Sequence, residues 1–243
     1  QTEADDNVAI GRNAMNTSTS GTANVAVGAY ALDANTTADN NTAVGYNALT
    51  ANTTGSENTA VGQIALDANT TGSTNVAIGQ SAMGSNTTGA DNVAVGVDAL
   101  NSNTTGTHST AVGKGSLAAN TTASSNSAFG RDALNDNTTG TDNVAVGAYS
   151  LDANTTGIEN TAIGDNALGA NTTANSSTAV GASALLVSTG ATNVAVGAQS
   201  LKANTTAANN VGLGYRTLFA NTTGATNTAV GTAALEANTT ASN

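Results

Sequence analysis

The chain has 243 residues, a formal charge of −11, and 27 Gly but no Pro, Cys or Trp. Aromatics make up 2% and charged residues 9%, against about 25% charged in an average soluble domain. Such a chain cannot build a conventional core of large side chains, a disulfide framework or a thiolate metal site, and 39% hydrophobic with so little charge is the wrong signature for disorder.

The predicted elements, in chain order, are copies of one unit. The segment Asn41-Thr42-Ala43-Val44-Gly45 returns seventeen residues later as Asn58-Thr59-Ala60-Val61-Gly62. Units start at residues 7, 24, 41, 58, 75, 92, 109, 126, 143, 160, 177, 193, 210 and 227, with one irregular step of sixteen residues from 177 to 193. The consensus is N-[TV]-A-[VI]-G-x-x-A-L-x-A-N-T-T-[GA]-x-x, numbered below as positions one to seventeen. Residues 1–6 read as the tail of a preceding unit, and Asn243 completes the last one. The start at Gln1 and the lack of distinct capping sequences suggest an excised slice of a longer array. The domain expectation is therefore one repeat array over residues 1–243.

A period of seventeen is too short for a helical hairpin repeat, which needs about 34 residues. Position five is Gly in every unit and position fifteen is Gly or Ala, marking bends at fixed intervals. Between the bends lie a β-prone N-[TV]-A-[VI] piece and a weaker A-L-x-A-N-T-T piece. Short strands at constant period predict an all-β fold, a parallel β-solenoid of fourteen coils. At a strand spacing of about 4.8 Å the stack would be about 65–70 Å long.

Strand side chains alternate, so positions two and four point one way and position three the other. Position three is Ala in every unit but one, where it is Gly212, which predicts that this side meets the tight inside of the coil. Position nine, Leu or Met throughout, is expected to close that interior. Position four is always apolar, from Ile10 to Val230, and a thin coil has no dry place left for it. A second chain would supply one.

The N-[TV]-A-[VI]-G-x-x-A pattern resembles the head repeat of YadA-like trimeric autotransporter adhesins, and equally the repeat regions of long bacteriophage tail-fibre proteins. The resemblance covers all fourteen units, and the first strand is its specific part. For the adhesin family it implies a left-handed parallel β-roll with three chains side by side and the aliphatic row on the shared axis. This repeat is longer than the common adhesin head repeat by its A-N-T-T-[GA] stretch, and no stalk, anchor or self-cleaving chaperone domain accompanies it.

Other motifs read as parts of the repeat. The N-T-T triplets, Asn35, Asn52, Asn69, Asn86, Asn103, Asn120, Asn137, Asn154, Asn171, Asn204, Asn221 and Asn238, are formal glycosylation sequons. Their registration with the period favours stacked turn asparagines with Thr hydroxyls bonded to backbone. Neighbouring Thr at positions thirteen and fourteen face opposite ways in an extended chain, which argues against a flat two-column Thr face for ice. Acidic residues such as Asp33, Asp67, Asp98, Asp132, Asp142, Asp152 and Asp165 sit at loop positions and read as a solvated surface. His108 alone assembles neither a zinc site nor a triad. Tyr30, Tyr46, Tyr149 and Tyr215 occupy the two variable positions after Gly and are expected on the outer surface as packing or contact points. Phe129 enlarges the aliphatic row and is expected to need local room, and Leu185-Leu186-Val187-Ser188 reads as a deletion rather than a site.

No catalytic, cofactor or metal residues are assigned, and an enzyme is not expected. Nucleic acid is an unsuitable partner, since Arg12, Lys114, Arg131, Lys202 and Arg216 are the only basic residues and are scattered. No apolar run approaches the roughly 18 residues of a membrane span. The functional expectation is a structural and adhesive rod, the head or shaft of an extracellular adhesin or tail fibre, on a cell surface or virion. Its expected partner is itself, as a homotrimer or an end-to-end filament, beside an unspecified receptor. The alternatives are a subunit of a long surface filament and a solenoid that binds a lattice of ice or polysaccharide.

Overall fold

The structure, a computed structural model, describes residues 6–242; Asn243 and the first five residues of the leading tail lie outside them. The chain divides into two compact units, Gln1–Ser124 and Ser125–Asn243. The first holds strands β1 (Val8–Ile10), β2 (Val25–Val27), β3 (Thr42–Val44), β4 (Thr59–Val61), β5 (Val76–Ile78), β6 (Val93–Val95) and β7 (Thr110–Val112). The second holds β8 (Ser127–Phe129), β9 (Val144–Val146), β10 (Thr161–Ile163), β11 (Thr178–Val180), β12 (Val194–Val196), β13 (Val211–Leu213) and β14 (Thr228–Val230). Within each unit successive strands pair in parallel, and there is no helix among the described residues. Like pairs with like: Thr42 with Thr59, Ala43 with Ala60, Val44 with Val61. Each unit is a β-solenoid with one repeat per coil.

Only positions two to four form strand; the A-L-x-A stretch, expected as a weaker β piece, is turn. The cause is a run of left-handed residues. Positions seven, nine and seventeen have φ near 50–62°, as at Asn47 (55°), Leu49 (51°) and Glu57 (62°). A left-handed residue with a side chain costs roughly 1–2 kcal/mol. At position nine that cost is offset by full burial of Leu, worth about 1.5–3 kcal/mol, together with a hydrogen bond from Leu49 N–H to Ala65 O at 3.0 Å. The glycine bend does fall where the period places it. Gly96 has φ +139°, and a Cβ there would sit 2.5 Å from Gly113 O in the next coil.

The interior is narrow and complete within one chain. Ala43, Ala48 and Leu49, at positions three, eight and nine, are all 0% exposed. Two asparagine ladders close the rest. Asn41 at position one donates its backbone N–H to Asn24 Oδ1 (2.9 Å) and its side-chain Nδ2 to Gly55 O (3.0 Å). Asn52 at position twelve donates Nδ2 to the same Gly55 O (2.9 Å), and its Oδ1 accepts from Asn69 Nδ2 (2.9 Å). Buried amides held this way meet the requirement that interior polar groups be bonded.

The short unit is absorbed at the turn. Thr205 O accepts from Thr189 N–H (2.7 Å) and Gly190 N–H (3.2 Å), so Gly190 takes the backbone role of the missing position fourteen. Ser188 stands in the ladder and accepts from Asn204 Nδ2 at 3.0 Å. Strands β11 and β12 keep register, Thr178 with Val194. Leu185 is fully buried and Val187 is 40% exposed.

Candidate functional site

Every strand from β2 to β14 buries position three and turns positions two and four outward, while the end strand β1 is exposed throughout. This outward face is the most distinctive surface of both units. Position two is Val in seven coils, Thr in six and Ser in one, while position four is Val, Ile, Leu or Phe in all fourteen. Neither column holds a charge. Most of these side chains are half-buried, and Ile78 (40%), Phe129 (42%) and Ile163 (38%) are exposed. A solenoid flattened by three-residue strands thus presents a continuous apolar band in each unit, the kind of surface that marks an interaction site. Phe129, the largest side chain of the row, is 42% exposed.

The two columns differ in what they keep constant. Val and Thr share one β-branched shape and differ only in a hydroxyl, so position two holds shape while polarity varies. Position four holds apolarity while size varies from Val to Phe. A column that must be apolar but tolerates different sizes is suited to an adaptable dry contact.

Flanking this band are two polar edges. Past Gly at position five stand positions six and seven, which carry every Tyr and every Arg of the chain. In the first unit Arg12 lies over the Tyr30 ring at 4.8 Å, and Tyr30 meets Tyr46 edge-on at 6.2 Å. In the second, Arg131 lies over Tyr149 at 4.6 Å and its guanidinium donates to the Tyr149 hydroxyl. Arg216 stacks on Phe219 at 4.1 Å and pairs with Glu236 at 2.7 Å. Tyr30, Tyr46 and Tyr149 thus make defined ring contacts at the surface, in line with the expectation for them, and Tyr46 and Tyr215 are about half exposed. The opposite edge, positions sixteen and seventeen, has no Lys or Arg, and position seventeen holds Asp6, Glu57, Asp91, Asp142 and Glu159.

The remaining sequence candidates resolve simply. The sequon asparagines from Asn35 to Asn221 are fully buried. Asn86, for example, spends its amide on Asn69 Oδ1 (2.8 Å) and Gly89 O (3.0 Å), leaving nothing for a glycan in the folded chain. Position-thirteen hydroxyls bond the next coil, as Thr53 Oγ1 does to Thr70 O at 3.0 Å, and position-fourteen Thr point outward. His108 is exposed, with Nδ1 2.8 Å from Thr107 Oγ1 and Nε2 3.6 Å from Asp91. Burial pushes the Asp67 and Asp152 carboxyls, at position ten, above the usual range. Among the described residues no group of three His, Cys, Asp or Glu could hold a metal ion, there is no cavity, and no helix is long and apolar enough to cross a membrane. The left-handed residues were the feature that sequence reasoning missed. The abundance of Asn, Asp and Ser at positions seven and seventeen was their available signal. No family model, curated protein or solved structure matches the chain.

Proposed function

We propose that the chain is a structural and adhesive solenoid of an extracellular fibre, the head or shaft of a surface adhesin or tail fibre, built as a homotrimer around the outward aliphatic face. The observation that carries this reading is position four: apolar in all fourteen coils, yet turned out of an interior that is already closed. Burying such a band between copies returns about 25 cal/mol per Å² of apolar surface removed from water, and a fibre needs no catalytic group. The resemblance to YadA-like heads supplies the trimeric state, the left-handed coil and the cell-surface or virion setting. An ice or polysaccharide lattice would call for side chains of even height, and Phe129 and Leu213 break that evenness.

Sedimentation equilibrium of the purified chain tests the reading. The expected mass is three times the 23.3 kDa chain mass, held down to low protein concentration. A particle of one chain mass at all concentrations would remove the self-association on which the reading depends.

A further inference from the structure

The coil of residues 177–192 departs from the repeat in three ways at once. It is one residue short, and it alone carries serine in both asparagine ladders, Ser177 at position one and Ser188 at position twelve. Its turn is bonded unequally on its two sides. Toward the following coil, Thr189 and Gly190 N–H donate to Thr205 O at 2.7 and 3.2 Å. One coil earlier the same pattern holds: Thr155 and Thr156 N–H donate to Thr172 O at 2.8 and 3.2 Å, joined by Thr155 Oγ1 at 3.0 Å. At the junction in between it lapses, and neither Thr172 N–H, Thr173 N–H nor Thr172 Oγ1 bonds Thr189 O. Ser188 has no amide to offer the ladder. Asn171 Oδ1 instead accepts from Ala174 N–H of its own coil at 3.1 Å, where Asn137 Oδ1 accepts from Asn154 Nδ2 of the next coil at 2.8 Å. Thr172 and Thr189 are exposed, while Thr155 and Thr205 at the same position are half-buried.

The strand side of this junction is intact. Strands β10 and β11 keep register, Thr161 with Thr178, and Gly181 N–H donates to Ile163 O at 2.7 Å. In a stack of coils held chiefly by their neighbours, stability is set junction by junction, and the junction with the fewest bonds opens first. We propose that the turn of residues 170–176 is a built-in point of local opening in the second unit, released from the following coil while β10 and β11 stay paired. The missing residue and the missing amide fall on one side of one coil, so the opening has a direction: it begins at the turn and stops at the strands. A solenoid under pull then yields at one defined turn, and the ladders of the other coils are kept. The inference concerns a single chain and holds whether or not copies associate.

Amide hydrogen exchange of the full chain, resolved to single residues, tests this. Ala170 N–H, bonded across the junction to Leu186 O at 3.0 Å, reports the turn. Its counterparts are Asp136, bonded to Asp152 O at 3.0 Å, and Ala203, bonded to Phe219 O at 3.1 Å, on either side of it along the chain. Each hydrogen bond lost is a factor of about 2–10 in an opening equilibrium, so Ala170 should be at least about tenfold less protected than both counterparts. Gly181 should be protected as well as Gly164, which donates to Val146 O at 2.7 Å. Equal protection of Ala170, Asp136 and Ala203 would overturn the proposal, and so would a Gly181 that exchanges as fast as Ala170. Inserting a Thr after Thr189 together with Ser188→Asn restores the N-T-T-G run and should bring Ala170 to the level of its counterparts. A repaired, folded chain that still exchanges fast there would overturn the proposal too. Should the repaired chain not fold, the converse change decides. Deleting Thr105 together with Asn103→Ser gives the coil of residues 92–108 the same short turn. It should lower the protection of Ser85, which donates to Asn101 O at 2.9 Å, by a similar factor. Unchanged protection of Ser85 would contradict the inference.

Discussion

Gly212 stands where every other coil has Ala, and the space left by its missing methyl is taken by a neighbour. Ser200, at position eight of the preceding coil, places Oγ 2.7 Å from where the Gly212 Cβ would lie, and shares a 3.1 Å hydrogen bond with Thr217. The exception at position three is thus tied to the paired hydroxyls of Ser200 and Thr217, with Ser200 Oγ also bonded to Gly212 O at 3.1 Å. Gly212→Ala is expected to destabilise the second unit by about 1–3 kcal/mol through overpacking. Adding Ser200→Ala should recover part of that loss, with a coupling of about 0.5–3 kcal/mol in a double-mutant cycle. Urea denaturation of the four chains measures it, and additive effects would show that the two sites do not share the space. At an ordinary coil the same crowding is unrelieved. Ala94 is 0% exposed, and Ala94→Leu should lower the melting temperature clearly, and by more than Asp98→Leu at an outward, left-handed turn position. Equal melting temperatures for the Ala94→Leu and wild-type chains would contradict the burial of position three.

At the scale of the coil, the period, the strand and its facing were legible in the sequence. Small Ala against branched Val or Ile, two residues apart, is enough to say which side is tight. The turn geometry was not. Leu at position nine carries no sign of a left-handed backbone, and only the stacking geometry supplies the hydrogen bond and burial that hold Leu49 near φ 51°. The outward edges were half legible, since the tyrosines were placed on the surface but their arginine partners were not foreseen. Each coil bonds chiefly to its neighbours, so stability should be close to a sum of coil and nearest-neighbour terms. Removing residues 92–108 joins Asp91 to Ser109 and keeps every ladder in phase. That variant should retain β circular dichroism and protease resistance, with a modest loss of stability. Removing residues 92–99 joins Asp91 to Leu100 instead, and sets the Leu, Gly and Ala columns against the wrong partners. It should lose protease resistance around the join. Equal resistance of the two deletions would show that the seventeen-residue coil is not the structural unit.

For the molecule as a whole, the division between an inside and an outside decides what each apolar column does. Ala and Leu close the coil, so a single chain has its core without help, and under the proposed function the Val and Ile of position four join one copy to another. Substituting Val95→Asp with Val112→Asp separates these roles. Both side chains point outward and are only partly buried, so a carboxylate there stays hydrated in a free chain, but it would be desolvated and unpaired in a contact between copies. The most direct measurement is the solution mass of this double variant, taken beside its circular dichroism. The expected result is a folded chain with wild-type spectrum and a mass of 23.3 kDa, beside a wild type of multimeric mass. A double variant that keeps the multimeric mass would contradict it, and so would one that loses its β spectrum, which would place position four in the core of the coil.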